Sequence, residues 1–181
     1  MLEYGTPGSV GGRLGQLAVL PRWQTAEMLT IRRASAADAA AARELGENAF
    51  AELRSVYEPS PLAKEMHAGM GELGRLVAEA DGRFVGTVRY RVSGMCLHVT
   101  GLAVSPDSRS RGIARRLITQ LASLAKERGC SKMGLYAVEQ TGNVAVFERL
   151  GFHVVAASPA QYSISVDGRP LTEAYMERAV A

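Results

Sequence analysis

Cysteine is scarce in this 181-residue chain: it has two, Cys96 and Cys130, with no CxxC pair. A disulfide framework and a cysteine-built zinc site are therefore excluded as organising devices, and both thiols are expected to be reduced packing residues. Histidine is rare too, and none of His67, His98 and His153 stands at metal-ligand spacing from a cysteine or carboxylate, so no metal is expected. Charge of one sign is not in excess: 21 Lys plus Arg against 18 Asp plus Glu leaves +3, too little to imply a nucleic-acid binder. The chain lacks an apolar run of the roughly 18–20 residues that crosses a bilayer. It also lacks the basic head, apolar stretch and cleavage site of an export signal, so the reading is soluble and cytoplasmic, with no membrane partner. Neither GxxxxGK[ST] nor a GxGxxG after a strand occurs, which disfavours P-loop and dinucleotide-binding sites.

What is present is a globular composition, 47% hydrophobic and 22% charged, at a length suited to one domain. Residues 1–27 hold five of the 19 glycines and two of the seven prolines without an apolar period, the mark of a weakly ordered extension. Residues 28–181 are expected to form the domain.

Within it, MLTIRRA reads as a strand. Ser35 with Asp38 forms a capping-box signal for a first helix carrying Ala42, Leu45, Ala49, Leu53 and Val56 and ending before Pro59. A second helix is expected from Pro61 to about Met70. RLVAEA and RFVGTVRY flank an Asp-Gly pair, a hairpin signal, and Cys96 to Val104 extends it into a meander. Ile113, Leu117, Leu121 and Leu124 mark a long amphipathic helix between Gly112 and Arg128. Lys132 to Val138 reads as a buried strand, Asn143 to Arg149 as a short helix, GFHVVAA as a strand, and LTEAYMERAV as a half-exposed edge strand.

Chemistry concentrates where the strand ending at Val104 meets the long helix, through SPDSRSRGIARR. Arg109, Arg111, Arg115 and Arg116 crowd this turn, and no carboxylate occurs from Ser108 through Lys126. Helix N-termini favour acidic side chains, so arginines there are costly unless an anion occupies the site. Gly112 and Ala114 leave the amides uncovered, and a phosphate could meet the free N–H donors directly. The plainer alternative is a glycine easing a strand-to-helix turn beside a solvated basic face.

The stretch Arg109, Ser110, Arg111, Gly112, Ile113, Ala114 matches [QR]xxGx[GA]. With the strand LAV before it and a helix, a strand and a short helix ending in ERLGF after it, the chain from about 28 to 180 resembles the GNAT superfamily of acyl-CoA-dependent N-acyltransferases. The resemblance implies an α/β (α+β) fold. Its mixed, mostly antiparallel sheet would have six to seven strands flanked by about four helices and splay between the fourth and fifth strands, where acetyl-CoA or another acyl-CoA sits. It implies that the backbone of Leu102, Ala103 and Val104 bonds the pantetheine arm and that Arg109, Ser110, Arg111, Gly112, Ile113 and Ala114 hold the pyrophosphate, chiefly through the amides from Arg111 to Ala114. Asn143 and Phe147 would flank the cofactor, with helix capping the alternative role for Asn143. Relatives often carry a tyrosine where this chain has Phe147, which cannot protonate a departing thiolate, and an asparagine where it has Gln140. Tyr136, Tyr162 and Tyr175 are candidate substitutes.

An amine acceptor must lose a proton before it attacks a thioester. His98 and Glu139 are the candidate catalytic groups, and a backbone N–H near Val104 the oxyanion donor. Residues 38 to 72 hold seven carboxylates against three basic residues, which reads either as an ordinary solvated face or as an acidic rim that draws a cationic amine. The expected activity is acetyl transfer to a primary amine of a small molecule or peptide. The alternatives are a non-catalytic acyl-CoA sensor and a nucleotide- or phosphate-binding module. The oligomeric state stays open, a homodimer included.

Overall fold

A computed structural model describes residues 29–63 and 74–180. Strand β1 (Thr30–Arg33) leads through a 3-10 turn to helix α1 (Ala39–Phe50) and the short strand β2 (Tyr57–Pro59). A meander follows, of β3 (Gly74–Ala80), β4 (Arg83–Ser93) and β5 (Cys96–Val104). Helix α2 (Ile113–Glu127), β6 (Lys132–Val138), α3 (Asn143–Arg149), β7 (His153–Pro159), β8 (Ser163–Ser165) and β9 (Thr172–Ala179) complete it. Seven strands form one sheet in the order β1-β3-β4-β5-β6-β9-β7, and β2 pairs with β8 apart from it. Among the described residues only the β5–β6 pair of this sheet is parallel. The expected mixed, mostly antiparallel α/β architecture is therefore what the chain adopts.

Local chemistry explains the elements that position the site. The hairpin between β3 and β4 turns at Asp81-Gly82, and Asp81 takes the positive φ of 51° that a primed turn requires. Helix α2 buries Ile113, Leu117, Ile118, Leu121, Leu124 and Ala125. That stripe packs with Leu76, Val88, Leu97, Val99 and Met133 into one core, each fully buried leucine contributing about 1.5–3 kcal/mol. Ahead of α1, the Asp38 carboxylate accepts from the Ser35 N–H at 2.6 Å and the Ser35 hydroxyl at 2.8 Å. Both terminal nitrogens of Arg32 also donate to it, at 2.7 and 3.0 Å. These partners, the guanidinium first, hold the Asp38 carboxyl well below the usual carboxylate range.

The fourth and fifth strands of the sequence reading are β5 and β6, and they do part. Their parallel register covers Cys96↔Lys132, Leu97↔Met133 and His98↔Gly134, after which β5 has no partner on its β6 side among the described residues. The cause is local to β5. Its register on β4 slips between Thr87↔Ala103 and Arg89↔Thr100, so Gly101 and Leu102 face one residue across the ladder. Such a bulge bends the strand, swinging its C-terminal half out of line with β6.

Two elements differ from expectation. The first helix stops at Phe50 and continues as a 3-10 turn, Glu52–Ser55, because Tyr57–Pro59 is recruited as a strand by Ser163–Ser165, about a hundred residues away. The last strand is not an edge: β9 lies between β6 and β7, with Glu173, Ala174 and Met176 buried, while β7 is exposed along its whole length. Alternation in β9 thus reflects packing on two faces rather than a solvated rim. Of the helix expected from Pro61 to Met70, residues 61–63 are helical and the rest lies outside the described residues, as does the extension 1–27.

Candidate functional site

The separation of β5 from β6 opens a cavity of about 420 Å³. Its walls combine β5 from His98 to Leu102, β6 from Gly134 to Val138, Phe50, Leu53 and Arg54 from α1 and the turn after it, and Asn143 and Phe147 from α3. Tyr162 and Glu173 close it from the β9 side.

At the mouth of the helix that follows β5, Gly112 is the N-cap of α2, at φ 78° and ψ 6°, and no side chain caps the first turn. Ser110 also has a positive φ, 62°, whereas Arg111 between them does not. Backbone of alternating hand turns successive N–H groups toward one point, an anion-binding nest. A Cβ placed on Gly112 would meet nothing within 4 Å, so the approach to those amides is open. The first turn holds no acidic residue, while Ile113 is buried and anchors it to the core. An open face, a first turn without a side-chain cap and the positive end of the dipole suit a diphosphate.

The basic side chains of the turn serve partly as clamps. Arg109 pairs with Glu52 at 2.9 Å and donates to the Ala49 carbonyl at 3.3 Å, which ties the end of α1 to this turn. Its guanidinium is thus engaged by the protein rather than held out toward a ligand. Arg115 donates to the Arg149 carbonyl at 3.4 Å and Arg116 to that of Leu29 at 3.0 Å.

Leu102, Ala103 and Val104 lie on the half of β5 that β6 abandons. Among the described residues Ala103 and Val104 pair only with Thr87 and Gly86 of β4, with no strand on the opposite edge of the backbone. Phe147 packs edge-on against Phe152, ring centroids 6.1 Å apart, and lines the cavity. Asn143 also lines it, and it is not the cap of α3: Gly142 takes that position, and the Asn143 N–H donates to the Thr141 hydroxyl at 3.3 Å. Gln140 accepts from the Thr172 N–H at 3.1 Å and latches the turn to β9.

The two candidate catalytic groups separate. His98 lines the cavity, and burial, helped by the positive charges of Arg91 and Lys132, lowers its pKa, so the neutral imidazole is favoured. Glu139 stands exposed on the 3-10 turn after β6 and is not part of the cavity wall. The carboxylate that is there is Glu173, 3% exposed, accepting from the N–H groups of Gln161 at 3.0 Å and Tyr162 at 3.2 Å. Its sequence signal, one of two acids with Glu177 in the strand, became informative only once β9 proved to be interior. Tyr136 and Tyr162 line the cavity with rings 5.1 Å apart, and the Tyr175 ring meets that of Tyr136 at a tilt, 5.0 Å between centroids. Burial, first of several causes, raises the Tyr136 phenol. None of the described carboxylates between 38 and 63 lines this cavity. Both cysteines are buried and unbridged, no cluster of potential metal ligands exists among the described residues, and no described helix is long and apolar enough to cross a membrane.

Known proteins resemble this chain in sequence and in fold. In sequence, Acetyltransferase ECA0875 of Pectobacterium atrosepticum is 38% identical over 81 residues, 44% of this chain and 57% of that protein, so the chain spans little more than half the length of this curated relative. In structure, the ribosomal-protein-S18-alanine N-acetyltransferase of Escherichia coli superposes with a TM-score of 0.68 at 22% identity, covering 85% of this chain and 95% of that one. Nourseothricin acetyltransferase gives 0.65 at 20% identity over 84% and 99%. The yncA protein of Salmonella typhimurium, solved with its cofactor acetyl-CoA, gives 0.64 at 22% over 84% and 94%. At these identities the structural likeness establishes the fold. The profile of the acetyltransferase (GNAT) family matches residues 40–152, more than half of the chain, and the chain therefore belongs to that family.

Proposed function

We propose that the protein is an acetyl-CoA-dependent N-acetyltransferase that acetylates a primary amine by direct attack in a ternary complex. One observation carries this reading: the uncapped, acid-free N-terminus of α2 at Gly112 follows directly on the strand edge that β6 abandons, beside a cavity large enough for the reacting groups. Acetyl-CoA, when bound, supplies the acyl group as an activated thioester. The amides of Arg111 to Ala114 hold its diphosphate, and the free edge of Leu102, Ala103 and Val104 orients the arm like an added strand. A backbone N–H near Val104 stabilises the oxyanion as the amine attacks.

His98 takes the proton from the acceptor amine, since a neutral imidazole in the cavity wall has the lone pair this step needs. Glu139 has no part in this scheme. Phe147 offers no acidic hydrogen, so the proton returned to the thiolate comes from solvent or from the phenol of Tyr136 or Tyr162 in the same cavity. Two buried, unbridged cysteines suit a reducing, cytoplasmic compartment.

Phe147 also favours a second reading, an acyl-CoA-binding sensor without chemistry. Thermal stabilisation by acetyl-CoA and not by ATP is expected under both, because a ligand that binds only the folded state raises its melting temperature. Stabilisation by ATP instead would return the site to a nucleotide-binding module. Release of free thiol on adding amines separates the enzyme from the sensor: a panel of amines, amino acids, aminoglycosides and peptides that yields none selects the sensor.

A further inference from the structure

Strand register gathers positive charge on the sheet face away from α2. Arg75 of β3 stands directly opposite Arg89 of β4, Thr100 of β5 opposite Arg89, and His98 opposite Arg91. Arg89 and Arg91 line the cavity, joined by Arg54 from the turn after α1, and Glu173 is the one carboxylate of the described lining. Glu173 is held on the far side by backbone donors of Gln161 and Tyr162.

Arg89 is half-buried, and its guanidinium lies across the bulge: a Cβ on Gly101 would come within 3.1 Å of Nε and 3.2 Å of Nη2. Only a residue without a side chain allows that close approach. No ion pair among the described residues involves Arg89 or Arg75. Burial and the neighbouring Arg75 charge both disfavour the charged form of Arg89. Two further polar atoms, Arg75 Nη1 and Thr100 Oγ1, are buried beside it without a hydrogen-bond partner. Like charges packed side by side, donors without an acceptor and a bulge shaped around a guanidinium amount to a cost in the empty protein, which an arriving anion would relieve.

Building on the transferase reading, we propose that the acceptor amine carries a carboxylate, which seats against the Arg89 guanidinium, with Arg75, Arg91 and Arg54 supplying the positive surroundings. The planar fork of guanidinium donors matches the two oxygens of a carboxylate. The diphosphate cradle at Gly112 is a separate place, on a loop beyond the end of β5, so the cofactor's phosphates do not account for these arginines. Acceptors are then amino acids or related amino-carboxylates, and polyamines and aminoglycosides are not.

The test uses the full chain, saturating acetyl-CoA and matched probes: phenylalanine, methionine and glutamate, each beside its α-carboxamide and its decarboxylated amine. For at least one set, kcat/KM for the free acid should exceed both neutralised forms by about 30-fold, the scale of a charge-assisted hydrogen bond to a guanidinium. Arg89→Met should erase that preference while leaving acetyl-CoA affinity within about threefold, and Arg89→Gln provides the same readout should the Met variant fail to fold. Equal or better turnover of the carboxamides and amines, or a preference that survives at residue 89, overturns the proposal and leaves the transferase intact. A preference for succinyl-CoA over acetyl-CoA that disappears in Arg89→Met also overturns it, by assigning the anion to the acyl donor. Calorimetry of the same acids in the presence of CoA keeps the two levels apart. Binding to the wild type and not to the variant, without thiol release, supports the anion subsite and removes the transferase; no binding and no turnover removes both.

Discussion

Replacing Gly112 by glutamate should nearly abolish acetyl-CoA binding while leaving the fold almost untouched. Gly112 sits at φ 78°, where a side chain costs about 1–2 kcal/mol, but a Cβ there meets no protein atom within 4 Å, so no clash is added. A carboxylate at a helix N-terminus returns roughly 0.3–1 kcal/mol through the dipole. The net loss of about 0.5–1.5 kcal/mol corresponds to a fall in melting temperature of no more than about 6 °C for a chain of this size. The effect on the ligand is far larger. A carboxylate about 4 Å from a phosphate charge repels it by about 4 kcal/mol at an effective dielectric of about 20, which weakens binding by about a thousandfold. Calorimetric titration with acetyl-CoA, with a thermal melt of the same sample, reads both quantities. Gly112→Ala is the control, carrying the same backbone strain without the charge, and should weaken binding by no more than about tenfold. If Gly112→Glu melts within that range and binds acetyl-CoA within about threefold of the wild type, the diphosphate is held elsewhere and the site assignment is wrong.

The remaining expectations follow from the same geometry. Protonation of His98 blocks it as a base, so thiol release should decline as pH falls below about 6.5, and the lowered pKa places the decline on the acid side of that value. His98→Gln should cost about a hundredfold in kcat and flatten that limb; an unchanged pH profile in the variant would remove His98 from the mechanism. Phe147→Tyr keeps the ring packed on Phe152 and should leave acetyl-CoA affinity within about threefold, whereas a large loss measured by calorimetry would mean the ring contacts the ligand differently. Asp38 has a lowered pKa in the folded state, so its contribution to stability is present above the unfolded carboxyl value and lost as pH falls through the folded one. Thermal melts should therefore show Asp38→Asn less stable than the wild type near neutrality, with the gap closing in acid. Leu121 is fully buried in the core under the sheet, and Leu121→Ala should cost about 2–5 kcal/mol in denaturant unfolding.

Parts of the site were legible because their causes are local. The uncovered amides at Gly112, the absence of acid along the first turns of α2 and the apolar stripe from Ile113 to Leu124 all follow from residues within one turn of each other. Other parts were not. Glu139 looked as promising as any acid near the end of β6, yet the turn carries it into solvent while Glu173, on a strand first read as an edge, closes the cavity. Arg109 fitted the phosphate motif, but its guanidinium is engaged by Glu52 and Ala49, 57 and 60 residues earlier.

By itself the order of residues determined most of the secondary elements, the meander and the glycine turn that opens α2, since capping, helical period and Asp-Gly turns act over a few neighbours. Only the tertiary structure decided which side chains share the cavity. Pairing register sets Arg75, Arg89 and Thr100 side by side, and the slip at Gly101 bends β5 away from β6 to open the space they face. Register is a property of two strands at once, and no single stretch of sequence contains it.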